Sequence, residues 1–223
     1  MNRKLFVSAI TKFLLGVVLI GALLFVPAGT LNYPGGWLLM AILFIPMFLA
    51  GLVMMRKSPN LLRSRLSARE KRGEQGLLMK LSGLMFVCSF IAAGLDFRFG
   101  WLPLPGWVQL CAAVVFLICY ALYAEVLREN AWLSRTIEVQ QNQQVVSTGL
   151  YGVVRHPMYA VTLGLFAAMP LVLDSLIALL FLLPYPALIA ARIRDEEKLL
   201  LEELEGYEAY CRKVRWRMIP FLW

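Results

Sequence analysis

The only histidine of the chain, His156, stands between Arg155 and Pro157, and two adjacent carboxylates, Glu196 and Glu197, follow 40 and 41 residues after it. Proline disfavours helical backbone in the residue before it and suits the first position of a helix, so His156 marks a boundary and Pro157 opens a helix. The unpaired amides of that helix start, with Arg155 and His156 beside them, make a ready anion site. The plainer alternative is an interface arginine and a capping histidine. Further on, Ile193, Leu200, Leu204, Tyr207, Cys211 and Val214 recur on one helical face if the helix persists past Gly206. At about 100° per residue, Glu197 falls about 40° to one side of Ile193 and Glu196 about 60° to the other. Carboxylates on a buried face are costly without partners. They form either an ion pair with Arg192, one turn before Glu196, or a polar ligand site. Metal chemistry is not expected, because Cys88, Cys111, Cys119 and Cys211 are scattered and form no CxxC pair. A disulfide framework is excluded on the same ground.

The elements that hold these residues are membrane helices. Of 223 residues, 60% are hydrophobic and 16% charged, with mean hydropathy +0.70, which describes an integral membrane protein. The net charge of +8 bears on sidedness in the bilayer and not on nucleic acid. Uncharged windows near the ~20 residues of a crossing lie at 13–31, 36–55, 81–95 (extended past a snorkelling Lys80) and 106–124. The stretch 156–191 is too long for one crossing and is interrupted at Asp174 and Ser175, with Pro170 before and Pro184 and Pro186 after. It reads as a hairpin of two short helices, followed from Arg192 by a helix leaving the membrane. Six crossings result, or five plus a re-entrant pair. The segment 56–80 holds eight Lys and Arg, the tail 192–223 seven and the first twelve residues three, against none in 32–35 and only Arg98 in 96–105. Both termini are therefore expected in the cytoplasm.

Several motifs recur together. Gly149-x-Tyr151-x-x-Val154-Arg155-His156-Pro157-x-Tyr159, an apolar hairpin, Arg192, Glu196-Glu197-x-x-Leu200, Tyr207-x-x-Tyr210 and Arg217-x-Ile219-Pro220 resemble the isoprenylcysteine carboxyl methyltransferase family. That family is itself similar to the phospholipid N-methyltransferases. The resemblance covers about residues 140–223. It implies an S-adenosylmethionine-dependent methyltransferase with its cofactor pocket at the cytoplasmic face. Carried over, Arg155, His156, Pro157, Tyr159, Glu196 and Glu197 line the pocket, Tyr207 and Tyr210 close it, Arg155 and His156 serve catalysis, and Arg192 and Arg217 meet the substrate. Val161 stands where many members have glycine, and a larger residue there implies either a narrower pocket or a different substrate shape, so the family's substrate is not carried over.

The resulting expectation is a single all-α integral membrane domain over 1–223, with five to six transmembrane helices, a C-terminal helical hairpin and a cytoplasmic helical tail. Residues 1–139 supply four membrane helices and the basic loop 56–80, and residues 140–223 the catalytic region. The expected activity is methyl transfer to a carboxylate or amine of a lipid or lipid-modified acceptor, in a bacterial or archaeal cytoplasmic membrane. The bilayer is a partner; neither a metal nor nucleic acid is expected to be one. The alternatives are an NADPH-dependent membrane reductase and a non-catalytic membrane scaffold.

Overall fold

The computed structural model describes residues 3–66, 73–133 and 139–223, with the side chains of Ser64 and of 73–75 outside the description. The centre of the basic loop, with Arg69, Lys71 and Arg72, lies outside the described residues. The described elements are helical throughout: α1 (Arg3–Ala28), α2 (Pro34–Lys57), α3 (Pro59–Leu66), α4 (Gly73–Phe99), α5 (Gly106–Glu129), a 3₁₀ turn (Gly149–Gly152), α6 (Pro157–Val172), α7 (Leu176–Leu182), α8 (Tyr185–Glu203) and α9 (Tyr207–Lys213).

Five described helical stretches are long and apolar enough to cross a membrane: Arg3–Ala28, Pro34–Lys57, Gly76–Phe99, Gly106–Glu129 and Leu176–Glu203. Their outward faces stay apolar. Leu14, Leu15, Val18 and Leu19 of α1 and Val114, Val115 and Ile118 of α5 are exposed, as expected where lipid replaces water around a helix. The interior is packed through small residues that let backbones approach. Gly94 of α4 lies where a Cβ would come within 2.6 Å of the Leu24 carbonyl oxygen of α1, and Gly164 of α6 lies where one would meet Cys119 Sγ of α5 at 2.6 Å.

α6 has 16 residues, about 24 Å of rise, and its two ends meet opposite ends of the bundle. Next to its C-terminus, Tyr33 Oη donates to the Leu173 carbonyl at 2.6 Å and Gln109 Nε2 to that of Val172 at 2.8 Å. The hairpin turn is fastened there as well. Leu104 N donates to Asp174 Oδ1 at 2.8 Å, and Ser175 Oγ, which caps α7, donates to the buried Asp96 at 2.6 Å. Asp174 adopts φ +61°, a conformation that a short polar side chain tolerates. Among the described residues α6 thus adds a sixth, shorter apolar helix to the five of spanning length.

Three boundaries differ from the sequence expectation. α1 begins at Arg3, ten residues before the apolar window, because Arg3, Lys4 and Lys12 sit in its first turns without breaking them. The second hairpin arm is not short. α7 and α8 form one spanning stretch to Glu203, since Pro184 and Pro186 occupy the start of α8, where a missing N–H costs nothing. The helix also does not reach Gly206: it ends at Glu203, Leu204 turns to extended backbone, and Gly206, with φ +81°, precedes α9. Tyr207 and Tyr210 therefore belong to a separate helix, folded back so that they cluster with Leu204 and Val214 against Leu200.

Candidate active site

The motif begins on a turn clamped to the end of α5. Gly149 has φ +53°, and a Cβ there would overlap the Glu129 carboxylate, so this position requires glycine on two counts. Leu150 N donates to Glu129 Oε2 at 3.0 Å and Asn130 Nδ2 to Tyr151 Oη at 3.0 Å. Tyr210 Oη of α9 donates to the Tyr151 carbonyl at 2.7 Å. The next two residues pair with the C-terminal segment, Arg155 N donating to the Trp216 carbonyl at 2.9 Å and His156 N to that of Arg217 at 2.7 Å. Pro157 then opens α6 as expected. His156 sits at the cap position, yet its side chain makes no capping hydrogen bond. Its ring is turned elsewhere.

That ring faces Glu197. The Glu197 carboxylate is 5% exposed and takes Arg155 Nε at 2.7 Å and His156 Nε2 at 3.2 Å on Oε1, and Arg217 Nε at 2.7 Å on Oε2. Arg155 Nη1 also donates to the carbonyls of Val214 at 2.9 Å and Arg215 at 3.1 Å. Glu197 thus ties α8, the motif and the tail together through cations that offset its burial. Burial pulls the Arg155 pKa down, but the contact with Glu197 outweighs it, and the net shift is upward.

Glu196, one residue earlier, belongs to a different cluster. It accepts from Tyr159 Oη at 2.6 Å, and the same hydroxyl accepts from Arg192 Nε at 2.9 Å. Tyr159 thus bridges the two groups that the sequence suggested as an ion pair.

Beside both clusters opens a partly enclosed cavity that communicates with solvent. Arg155, His156, Tyr159, Arg192, Glu196, Tyr207 and Tyr210 line it, whereas Pro157, Glu197 and Arg217 do not. Asn130, Trp132, Gln143 and Gln144 complete the wall. The glutamines belong to a polar run at 140–144, the one sequence signal that a loop of hydrogen-bonding groups precedes the motif. Apolar surface comes from Leu199, Leu200 and Leu204. Val161 is buried and is not among the residues that line this cavity.

Tyr207 is distinctive. Its hydroxyl is buried with no nitrogen or oxygen hydrogen-bond partner among the described residues, and the Cys211 thiol lies against it. Burial and the nearby Glu197 push its pKa well above the usual tyrosine value. An orphaned hydroxyl of this kind costs about 1–3 kcal/mol, and a ligand in the cavity would relieve it. Among the described residues no three of His, Cys, Asp and Glu cluster.

Residues 107–202, from the start of α5 almost to the end of α8, match the model of the isoprenylcysteine carboxyl methyltransferase (ICMT) family. A Delta(14)-sterol reductase of Mus musculus is 31% identical over 91 residues, which are 40% of this chain and 22% of that protein. The chain therefore spans about a fifth of the length of that curated relative.

Proposed function

We propose that this chain, assigned to the isoprenylcysteine carboxyl methyltransferase family by residues 107–202, is an integral membrane methyltransferase that uses S-adenosylmethionine and modifies a lipid or lipid-modified acceptor. The observation that carries the reading is the cavity wall at Tyr207. A buried, unpartnered hydroxyl lies in one enclosure with a cationic pair, Arg155 and His156, and a carboxylate, Glu196. These groups suit a cofactor that presents a carboxylate, an ammonium and ribose hydroxyls. Trp132, Leu199 and Leu200 offer surface for its adenine.

When bound, the cofactor supplies an electrophilic methyl on a sulfonium, and the protein's task is to position donor and acceptor. Arg155 holds negative charge at the start of α6 while Glu197 fixes its guanidinium. Glu197 also faces His156 Nε2, which favours a ring proton there and leaves Nδ1 as an acceptor. A carboxylate acceptor needs no base, while an amine would pass its proton to such a group. The cavity end of the bundle also carries Lys12, Arg56, Lys57, Arg63 and Arg65, which supports a cytoplasmic position for it.

A second reading, a nicotinamide-dependent reductase, is favoured by the sterol reductase match. Isothermal titration of the detergent-purified chain with S-adenosylmethionine and with NADPH separates the two. Saturable binding of the first alone supports the methyltransferase, and binding of NADPH alone would replace it.

A further inference from the structure

The segment that follows α9 serves the candidate active site with only part of its length. Arg217 reaches Glu197, and the carbonyls of Trp216 and Arg217 receive the amides of Arg155 and His156. Beyond them the backbone closes a tight turn. Met218 N and Ile219 N donate to the Trp223 carbonyl at 3.0 and 3.2 Å, and Trp223 N donates to that of Ile219 at 3.0 Å. Met218 is buried in a cluster with Tyr159 of α6 and with Ile189 and Ile193 of α8, and Trp223 packs against that cluster. The Arg217 guanidinium lies 5.5 Å from the centroid of the Trp223 ring. The root of the turn is thereby fixed.

Its outer side is uncovered. Ile219 is exposed, and Phe221 and Leu222 are 87% and 75% exposed. Phe221 also adopts φ +65°, a region that bulky side chains rarely enter, so the turn displays this ring at a cost in backbone strain. The motif before α6 is clamped to Glu129, the last residue of spanning α5. The turn, beside the start of α6, therefore stands at a boundary of the membrane. Charge agrees with that position. After Glu208 the sequence as far as Trp223 carries Arg212, Lys213, Arg215 and Arg217 and no acidic residue. Arg212 pairs with Glu208 and Arg217 with Glu197, whereas Lys213 and Arg215 are exposed and pair with no carboxylate among the described residues.

We propose that residues 213–223 form an interfacial anchor, in which Ile219, Phe221 and Leu222 enter the boundary of head groups and acyl chains while Lys213 and Arg215 meet anionic phospholipid head groups. The occupant of the uncovered face is the bilayer surface. A second copy of this chain seated there would instead bring like charges against Lys213 and Arg215. Because the same segment receives the amides of Arg155 and His156, docking on the membrane holds the motif in place. The anchoring stands apart from the methyltransferase reading, and only its effect on cofactor affinity rests on that reading.

The test places the full chain in nanodiscs of phosphatidylcholine, alone or with phosphatidylglycerol. A nitroxide on Leu222→Cys in a cysteine-free background reads depth through its collisions with oxygen and with a nickel chelate. Glu205→Cys, exposed between α8 and α9, is the aqueous control. The label at 222 should favour oxygen and the label at 205 the chelate. In discs with phosphatidylglycerol, Lys213→Gln combined with Arg215→Gln should speed hydrogen exchange at the Arg155 and His156 amides about fivefold or more, the scale of one cation lost from an anionic surface. In phosphatidylcholine alone the same pair should change little, whereas Phe221→Ser should speed exchange in both discs. A label at 222 as aqueous as that at 205, or exchange unaltered by these substitutions, would overturn the anchor. So would a dimeric particle with the label shielded from both reagents, which would give the turn to a second copy. S-adenosylmethionine affinity, titrated alongside, should be tighter with phosphatidylglycerol. Absence of binding in every disc, with the label at 222 in lipid, would count against the methyltransferase reading and leave the anchor assigned.

Discussion

Arg217, in the C-terminal segment, places Nε 2.7 Å from Glu197 Oε2, while the neighbouring Glu196 turns its carboxylate to Tyr159 at 2.6 Å. Two consecutive acids thus have separate tasks. Glu197 pairs with Arg155 and Arg217 and faces the His156 ring without lining the cavity, whereas Glu196 lines it. Substituting Glu197 by Gln leaves buried positive charge uncompensated, so stability should fall by about 3 kcal/mol or more, visible as a lower melting temperature in detergent. Glu196→Gln keeps size and hydrogen bonding but loses charge, and should weaken S-adenosylmethionine binding about tenfold with little change in melting. Equal melting temperatures for the two variants would contradict this division.

His156→Asn distinguishes a working ring from a helix cap. The side chain makes no cap hydrogen bond, so an asparagine that could cap should not rescue function. Turnover should drop by about an order of magnitude or more, the scale of a positioned catalytic group. Wild-type turnover of a lipid extract labelled with deuteriomethyl donor would return His156 to a structural role.

The spans, the hairpin break at Asp174 and the motif around His156 were legible because each rests on local pattern: apolar length, a polar interruption, a proline after a boundary residue. The split between Glu196 and Glu197 was not. Helical periodicity places both beside Ile193, and only the returning tail, which brings Arg217 to one of them, tells them apart. The break between α8 and α9 was readable in principle, since Gly206 is a residue that tolerates positive φ, but the apolar period continued through it by coincidence. Arg65 was invisible for a different reason. In a charge count it is one of eight basic residues of a loop, and nothing local says that α3 turns it toward the Tyr123 ring of α5, 5.5 Å away, and Met158 of α6.

Gly149→Ala should be among the more damaging small changes in the chain. The backbone there is left-handed and the new methyl would enter the space of the Glu129 carboxylate, which also receives Leu150 N. Strain of about 1–3 kcal/mol is expected from the backbone alone. Thermal melts of Gly149→Ala beside Gly100→Ala, which also has positive φ but open space around it, isolate the steric part. A smaller loss at Gly149 than at Gly100 would refute the clamp.

Sidedness can be tested at described positions. Cysteines introduced in a cysteine-free background at Ser58, between α2 and α3, and at the exposed Asn32, between α1 and α2, should label from opposite faces of the membrane, with Ser58 on the cytoplasmic face. The charge contrast between 56–80 and 32–35 is the basis. Labelling of both from one side would remove the α2 crossing.

Tyr207→Phe gives two effects of opposite sign. In the empty protein the hydroxyl is buried and unpaired, so its removal relieves a desolvation cost and should leave the melting temperature unchanged or raise it, by up to about 1 kcal/mol of stability. In the complex the same hydroxyl is expected to hydrogen-bond the cofactor, and its loss should weaken S-adenosylmethionine about tenfold. A hydroxyl that only supports α9 would lower the melting temperature on removal and leave affinity alone. Tyr210→Phe is the control, because its hydroxyl is already committed to the Tyr151 carbonyl at 2.7 Å. That variant should lose stability first, and affinity only as the clamp between α9 and the 3₁₀ turn loosens. Titration and melting of both variants in one detergent decide the matter: if Tyr207→Phe melts lower and binds as tightly as wild type, the hydroxyl does not face a ligand.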